Sequence, residues 1–185
     1  MMPQTIHDSA VRNFQMAANL LIALQGRRLV LTGEAAALLD GRPKALLTEG
    51  YNTLSPRFGI CIPQDTRGEF SMTPEGDGLE FRNSGATWMT MEGLVSSMDP
   101  CGCYLDADVA FPTPTVADVF LRDFTDAGTI RDSLQTEWLL GNDRATVCKL
   151  ELPEAADDVA NRRIVIHLRQ PPVRFTIRKL AMTLI

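Results

Sequence analysis

The sequence predicts a mainly β protein, an antiparallel β-sandwich with an N-terminal helical segment. The clearest sign is the C-terminal end, where three strands are predicted at 145–152, 163–168 and 175–184. In the second of these, Ile164, Ile166 and Leu168 occupy every other position. A period of two with one apolar face is typical of a half-buried antiparallel strand.

The last strand changes its period part-way along. Phe175 and Ile177 share one parity, whereas Leu180 and Leu184 share the other. One extra residue would restore a common face, so we expect a β-bulge near 178–179 that keeps both sets of side chains in the core.

Upstream, short β segments separated by Gly, Pro, Asn and Asp turns continue the same pattern. Many short strands without intervening helices favour a sandwich over an α/β fold. The predicted strands are Phe58–Ile62, Glu69–Thr73, Gly78–Arg82, Thr87–Glu92, Cys103–Ala110, Ala117–Phe124 and Thr136–Leu140.

The N-terminal part has a different character. Apolar residues recur at three- and four-residue spacing over 9–25, which predicts a helix that Asp8 or Ser9 can cap and Gly26 can end. A short strand at 28–31, a brief helix at 34–39 and a further helical turn at 43–47 are expected next. We therefore divide the chain into a helical segment, 1–50, and a sandwich, 51–185.

Composition excludes several classes of function. The 185 residues include 23 acidic and 18 basic side chains, for a net charge of −5, so there is no basic excess with which to bind nucleic acid. The apolar stretch 16–24 is interrupted by Asn19, is not preceded by a basic region and is shorter than a membrane span. We expect a cytoplasmic protein with no membrane span.

The cysteines do not form a metal-binding pattern. Cys101 and Cys103 resemble half of a metal or redox site, but the chain has only two histidines to complete it. Free thiols are the favoured interpretation, with no metal and no cofactor. Cys148 lies on the apolar face of its strand and is expected in the core.

From about Phe58 onward, the order of strands resembles a jelly-roll β-sandwich of the carbohydrate-binding-module or galactose-binding-like kind. Three stretches show this: 77–85 leading into a strand that bears Trp88, the paired strands 104–110 and 116–124, and the last three strands with Pro171-Pro172 before the final one. Modules of this shape occur in bacterial glycan-handling and surface-polysaccharide proteins.

A weaker likeness precedes these strands. The stretches 47–51 and 57–59 resemble a glycine–aromatic opening of such sandwiches, but Tyr51 and Phe58 stand where tryptophans are expected, and Ser55 where an acid is expected.

The resemblance implies a non-catalytic module that binds a glycan through aromatic faces and planar polar groups. Met89 and Met91 alternate with Trp88 and are expected in the core, which leaves Trp88 on the outer surface. We predict a ligand site at Trp88, Tyr104, Tyr51 and Arg57, with Trp88 and Tyr104 on one face. Trp138 shares its parity with leucines and is expected in the core.

Other interpretations stay open. Four aspartates, Asp106, Asp108, Asp118 and Asp123, would suit a structural calcium ion, or they are solvated strand positions. Neither His7 nor His167 has a recognisable nucleophile partner, so an enzyme is disfavoured. A polysaccharide hydrolase would need a carboxylate pair such as Glu137 with Asp143.

Assembly is the main alternative to glycan binding. A sandwich with an added apolar-faced helix suits an adaptor that contacts a protein partner or forms a homo-oligomer through that helix.

Overall fold

The computed structural model describes residues 6–141 and 145–185 and consists of two antiparallel sheets with a shared core. Thirteen strands form the sheets, and two α-helices and a 3-10 helix accompany them. The helices are α1 (Ile6–Gly26), α2 (Leu31–Ala36) and a 3-10 turn (Ala37–Leu39). The strands are β1 (Arg28–Val30), β2 (Ala45–Leu47), β3 (Gly50–Ser55), β4 (Phe58–Ile62), β5 (Gly68–Met72), β6 (Leu79–Asn83), β7 (Trp88–Leu94), β8 (Cys101–Ala110), β9 (Thr115–Thr125), β10 (Ile130–Leu140), β11 (Thr146–Leu152), β12 (Val159–Arg169) and β13 (Arg174–Leu184).

Strands from distant parts of the chain are neighbours in both sheets. The six-stranded sheet has the order β10-β9-β12-β7-β4-β3, and the seven-stranded sheet has the order β11-β8-β13-β6-β5-β2, with β1 paired to β13. From β6 to β9 the chain crosses between the sheets at every step, and it does so again from β10 to β13. This is a jelly-roll-like β-sandwich, so the predicted fold class is confirmed.

The alternation predicted from the sequence builds the core. Ile164, Ile166 and Leu168 of β12 are at most 1% exposed. The predicted bulge in β13 is confirmed, because its pairing with β8 shifts register between Ile177 and Lys179. Residues on both sides of the shift, including Phe175 and Leu184, are buried in the core as a result.

Two predicted elements differ from the structure, and one strand of the structure was not predicted. The helical turn at 43–47 is wrong, since 45–47 is the short edge strand β2, which pairs with β5. Strand β3 was not predicted. Strand β10 begins at Ile130, well before the predicted 136, because its first half is exposed on both faces and shows no apolar alternation. A register shift after Ser133 interrupts its pairing with β9.

The N-terminal region consists of one largely exposed helix, α1, and several elements that belong to the sandwich. Helix α1 starts before the predicted caps and ends at Gly26, as expected. The sequence division at residue 51 assigned β1 and β2 to the helical segment, and the structure places both in the seven-stranded sheet. Neither α-helix has the length and hydropathy needed to cross a membrane, over the residues described.

One charged pair lies inside the sandwich. Arg162 is 1% exposed, and its Nε and Nη2 atoms each donate a hydrogen bond of 3.1 Å to the Asp123 carboxylate. Its Nη1 atom donates to the carbonyl oxygen of Pro153 at 2.7 Å. These bonds compensate the desolvation of the guanidinium and tie β12 to β9 and to the end of β11.

Candidate functional site

Three adjoining cavities cross the outer surface of the six-stranded sheet. Their volumes are about 340, 300 and 160 Å³. The first two share Cys61, Glu92 and Arg122, and the last two share Phe120 and His167. We call this row the outer cleft, and its other lining residues are Tyr51, Trp88, Thr90, Phe124, Asn161, Arg163, Asp118, Asp132, Ser133 and Gln135.

The length of the outer cleft follows from its strands. It receives residues from all six strands of the sheet, from β3 at one edge to β10 at the other. Six strands spaced by 4.7–4.9 Å span about 24 Å. The outer cleft is therefore long enough for an extended ligand that crosses the sheet.

Four aromatic rings stand along the outer cleft. Trp88 lies at its centre, with its ring centroid 6.2 Å from that of His167. Tyr51 lies towards the β3 edge, while Phe120 and Phe124 come from β9. Aromatic rings in an open cleft can pack against the C–H faces of a ligand while keeping their edges in water.

The floor between the rings is polar although it is buried. Glu92 is only 4% exposed, although it lies on the outer face of β7. Its carboxylate accepts a hydrogen bond from Thr90 Oγ1 at 3.0 Å and lies 3.7 Å from Arg122 Nη1. A buried carboxylate held in one position is a directional acceptor for ligand hydroxyl groups.

At the β10 end, a second carboxylate is held by a network. Asp118 accepts a bond from Arg169 Nε at 2.6 Å, and Gln135 Nε2 donates to it at 3.3 Å. His167 Nδ1 lies 3.3 Å from the same carboxylate. The hydrogen bond from Arg169 is the main cause that lowers the Asp118 pKa from 3.8 to about 2, so this group is ionised at neutral pH.

The opposite end is built around Tyr51 and a glycine. A Cβ atom at Gly59 would collide with the Tyr51 ring, so only glycine lets this ring lie over β4. Arg163 holds the ring from β12: its Nη1 donates to the Tyr51 hydroxyl, and its Cζ lies 5.2 Å from the ring centroid. Burial raises the pKa of Tyr51, which keeps the hydroxyl protonated as a donor.

The predicted site residues fall on three parts of the surface. Trp88 and Tyr51 lie together in the outer cleft. Tyr104 projects from β8 in the other sheet, with Lys149 Nζ 5.8 Å from its ring centroid, so the structure does not bring Tyr104 to Trp88. Arg57 lies in the β3–β4 turn and pairs with Glu34 of α2. The turn is bonded to the end of β7, about 20 Å along that strand from Trp88.

Sequence reasoning placed the core correctly but missed most of the outer cleft. Met89, Met91 and Trp138 are buried as predicted, and so is Cys148. The residues that it did not single out as ligand contacts are Glu92, Phe120, Arg122, Phe124, Asn161, Arg163 and His167. The available signal was the alternation Phe120-Arg122-Phe124, which places rings and a cation on one face of β9.

The aspartates proposed for calcium are separate and each is paired with a cation. Asp106 meets Arg28 and Lys179, and Asp108 meets Arg178. Asp118 pairs with Arg169, and Asp123 pairs with Arg162. Over residues 6–141 and 145–185, no group of three or more His, Cys, Asp or Glu side chains is arranged to hold a metal ion. All four cysteines are free thiols, and the partner suggested for Glu137, Asp143, lies outside the described residues.

A larger depression of about 620 Å³ lies elsewhere, beside β2 and the β4–β5 connection. Its lining has no aromatic ring. The Asp65 amide spans this region by donating to Glu49 Oε2 at 3.3 Å. Aromatic rings and buried polar groups converge in the outer cleft and not here, so the outer cleft is the better candidate for a ligand site.

Comparison with known proteins finds similarity in structure alone. No protein-family model matches the chain, and no curated protein matches it by sequence. The solved structures that it resembles include carbohydrate-binding modules, the class whose strand pattern the sequence resembles.

Three of these structures illustrate the likeness. The C-terminal family 22 carbohydrate-binding module of Clostridium thermocellum Xyn10B has 12% identity and a TM-score of 0.48, covering 69% of this chain and 85% of that one. The CBM22-1 xylan-binding domain of Paenibacillus barcinonensis Xyn10C has 7% identity and a TM-score of 0.48, and the match covers 76% of this chain and 92% of that one. The family 11 module of Clostridium thermocellum, in complex with a β-1,3-1,4-mixed-linked tetrasaccharide, has 8% identity and a TM-score of 0.43. This match covers 75% of this chain and 94% of that one. These likenesses concern the fold alone.

Proposed function

We propose that this chain is a carbohydrate-binding module that holds a glycan chain in the outer cleft. The observation that carries the proposal is the row of aromatic rings, from Tyr51 through Trp88 to Phe120, over a floor of buried polar groups. Sugars present apolar C–H faces and rims of hydroxyls. Rings match the first, and the fixed side chains of Glu92 and His167 match the second.

The polar groups of the cleft act as holders of hydroxyl groups. Asp118 is ionised and already accepts several hydrogen bonds, and Glu92 is fixed by its neighbours. Arg122 is bound to Asp132 through two 2.8 Å hydrogen bonds. Because these groups are fixed before a ligand arrives, binding orders few side chains, which favours affinity.

The direct test is a glycan array probed with the full chain, followed by calorimetry on each glycan that binds. Trp88→Ala removes the central ring, and truncating such an aromatic contact costs about 2 kcal/mol, or roughly 30-fold in Kd. Trp88→Phe keeps a ring and should retain most of the affinity. The proposal fails if no glycan binds, or if Trp88→Ala binds as tightly as the wild type.

Self-assembly through α1 is a second candidate function. Phe14, Met16, Leu20 and Ile22 are each more than 60% exposed on this helix. Burying such side chains is worth about 1.5–3 kcal/mol each, and helices with few tertiary contacts are marginal in water. Helix α1 therefore gains stability from a partner.

A second copy of the chain fits that role. One seam of α1 follows the alternating four- and three-residue spacing of a coiled coil, and it consists of Ala10, Phe14, Ala17, Leu21 and Leu24. This seam carries no charge, so identical helices do not repel one another. Light scattering after size exclusion should show an oligomer that Phe14→Asp with Leu21→Asp converts to monomers. A monomeric wild type would refute this candidate and leave glycan binding unaffected.

A further inference from the structure

At the Tyr51 end of the outer cleft, one cation forms no ion pair with a carboxylate of the described residues. The cavity of about 340 Å³ at this end is lined by Arg163 and Asn161 of β12, together with Tyr51 and Glu92. Arg163 and Asn161 are two positions apart on one strand, so their side chains project to the same face.

The other arginines of this face are neutralised. Arg122 binds Asp132 through two hydrogen bonds of 2.8 Å, and Arg169 binds Asp118. In the part of the chain that the structure describes, the hydrogen bond and the cation–π contact of the Arg163 guanidinium are both to Tyr51. A guanidinium has five N–H donors, so most of those on Arg163 remain available.

Asn161, which lines the same cavity, carries an acceptor atom without a partner among the described residues. The Asn161 Oδ1 atom is buried and has no hydrogen-bond partner among the described residues. A buried acceptor without a donor destabilises a protein by about 1–3 kcal/mol, and a ligand hydroxyl would relieve this. The cavity thus offers a set of donors for an anion, and rotation of the Asn161 amide towards the cavity would bring its acceptor to a neighbouring hydroxyl.

We propose that this end of the outer cleft binds an anionic sugar, with the Arg163 guanidinium bound to its charged group and Asn161 to a neighbouring hydroxyl. This inference rests on the proposed glycan-binding function. A uronic acid carboxylate and a sulfate ester share the required chemistry, which is a planar or clustered set of anionic oxygens next to a hydroxyl. Arginine suits both because it can donate two parallel hydrogen bonds.

The setting of Arg163 strengthens such a contact. Its guanidinium lies against the Tyr51 ring, 5.2 Å from the centroid, so its orientation is fixed before an anion arrives. The chain has a net charge of −5, but at physiological salt the charges more than about 8 Å away are screened. The Glu92 carboxylate lines the same cavity, but it accepts a bond from Thr90 and lies 3.7 Å from Arg122, so Arg163 is the charged group of this cavity that an anion can bind.

The test compares each acidic polymer with a neutral form of the same backbone. One pair is polygalacturonate and its carboxyl-reduced product, and the other is dextran sulfate and dextran. Calorimetry on the wild type should show at least one acidic form binding about tenfold more tightly than its neutral partner, since a hydrogen bond to a charged group contributes that much or more. The pair that shows the preference distinguishes carboxylate from sulfate.

Variants then assign the preference to Arg163. Arg163→Gln should abolish the preference, measured as the ratio of the acidic to the neutral Kd, so that any loss shared by both polymers through a looser Tyr51 ring cancels, and Arg163→Lys should retain part of it. Arg174→Gln is the matched control, because Arg174 lies on the outer face of the other sheet and pairs with Glu80. We expect this variant to behave as the wild type.

The outcomes separate the two proposals. Equal binding of acidic and neutral forms, or a preference that survives Arg163→Gln, overturns the anionic-sugar inference and leaves glycan binding standing. If neither these polymers nor any glycan on the array binds, the proposed function fails and this inference fails with it.

Discussion

The outer faces of the two sheets arise from the same alternation, yet they present different chemistry. On the seven-stranded sheet the charged side chains form ion pairs with one another on the solvent-facing side. These pairs include Lys44–Glu69, Arg174–Glu80, Arg178–Asp108 and Lys179–Asp106. On the six-stranded sheet, aromatic rings and buried polar groups surround cavities. The first arrangement satisfies its own charges, whereas the second leaves groups available for a ligand.

Burial decides what each charged group contributes. Exposed ion pairs such as those of the seven-stranded sheet are worth about 0–1 kcal/mol. Glu92 and Asp118, by contrast, are 4% exposed on the outer face of the six-stranded sheet, so their positions are fixed and their removal is costly. Substitutions at the buried groups should therefore have larger effects than substitutions at the exposed pairs.

The largest loss of stability should come from the ion pair inside the core. Arg162→Met leaves the Asp123 carboxylate and the Pro153 carbonyl without their donor, and breaking a buried pair costs about 3–5 kcal/mol. Arg174→Met breaks an exposed pair with Glu80 and should cost less than about 1 kcal/mol. Urea unfolding of both variants measures the difference, and equal losses would show that burial does not govern these pairs.

A matched pair of tyrosines tests which face binds. Tyr51→Ala removes a ring from the outer cleft and should weaken glycan binding by about 2 kcal/mol, roughly 30-fold. Tyr104→Ala removes the corresponding ring type from the other sheet and should leave Kd unchanged. Calorimetry on one array-positive glycan decides the matter; the reverse pattern would move the site to the seven-stranded sheet.

Acid should destabilise the β10 end of the cleft. The folded-state pKa of Asp118 is about 2, below the ordinary 3.8, so its contribution is fully present above pH 4 and is lost as the pH falls from 4 to 2. Because Arg169 is half exposed, we expect only about 1–2 kcal/mol. The variant Asp118→Asn should lose that much less stability than the wild type over this window. Parallel pH curves for the two proteins would contradict this role.

The smallest effect concerns the seat of Tyr51. Gly59→Ala pushes the ring aside, and since the collision involves the far end of a half-exposed side chain, the chain still folds. We expect affinity to fall by about 1 kcal/mol, roughly fivefold. In the Tyr51→Ala background the same change should have no further effect. An equal loss in both backgrounds would mean that Gly59 acts independently of the ring.

The features that could be predicted from the sequence depend on residues that are close together along the chain. The alternation around Trp88 placed Met89 and Met91 in the core, and the change of period in β13 predicted its bulge. These inferences need only the two-residue repeat of a strand. That repeat shows which side chains share a face of one strand, but it does not say which sheet the strand joins.

The outer cleft depends on pairings that are distant in sequence. Tyr51 and Arg163 are 112 positions apart and meet only because β3, β4, β7 and β12 are neighbours in this order. Trp88 and Tyr104 lie much closer along the chain but on different sheets. Strand order, not spacing, therefore assembles the site.

The most direct test of glycan binding in the outer cleft uses the two tryptophans of the chain. Trp88 lines the cleft, and Trp138 is 5% exposed in the core. In a two-dimensional ¹H–¹⁵N spectrum each gives one indole N–H signal, which the Trp88→Phe variant assigns. Titration with an array-positive glycan should shift the Trp88 signal to saturation and leave that of Trp138 in place. Saturable binding that leaves the Trp88 signal unmoved would contradict the account.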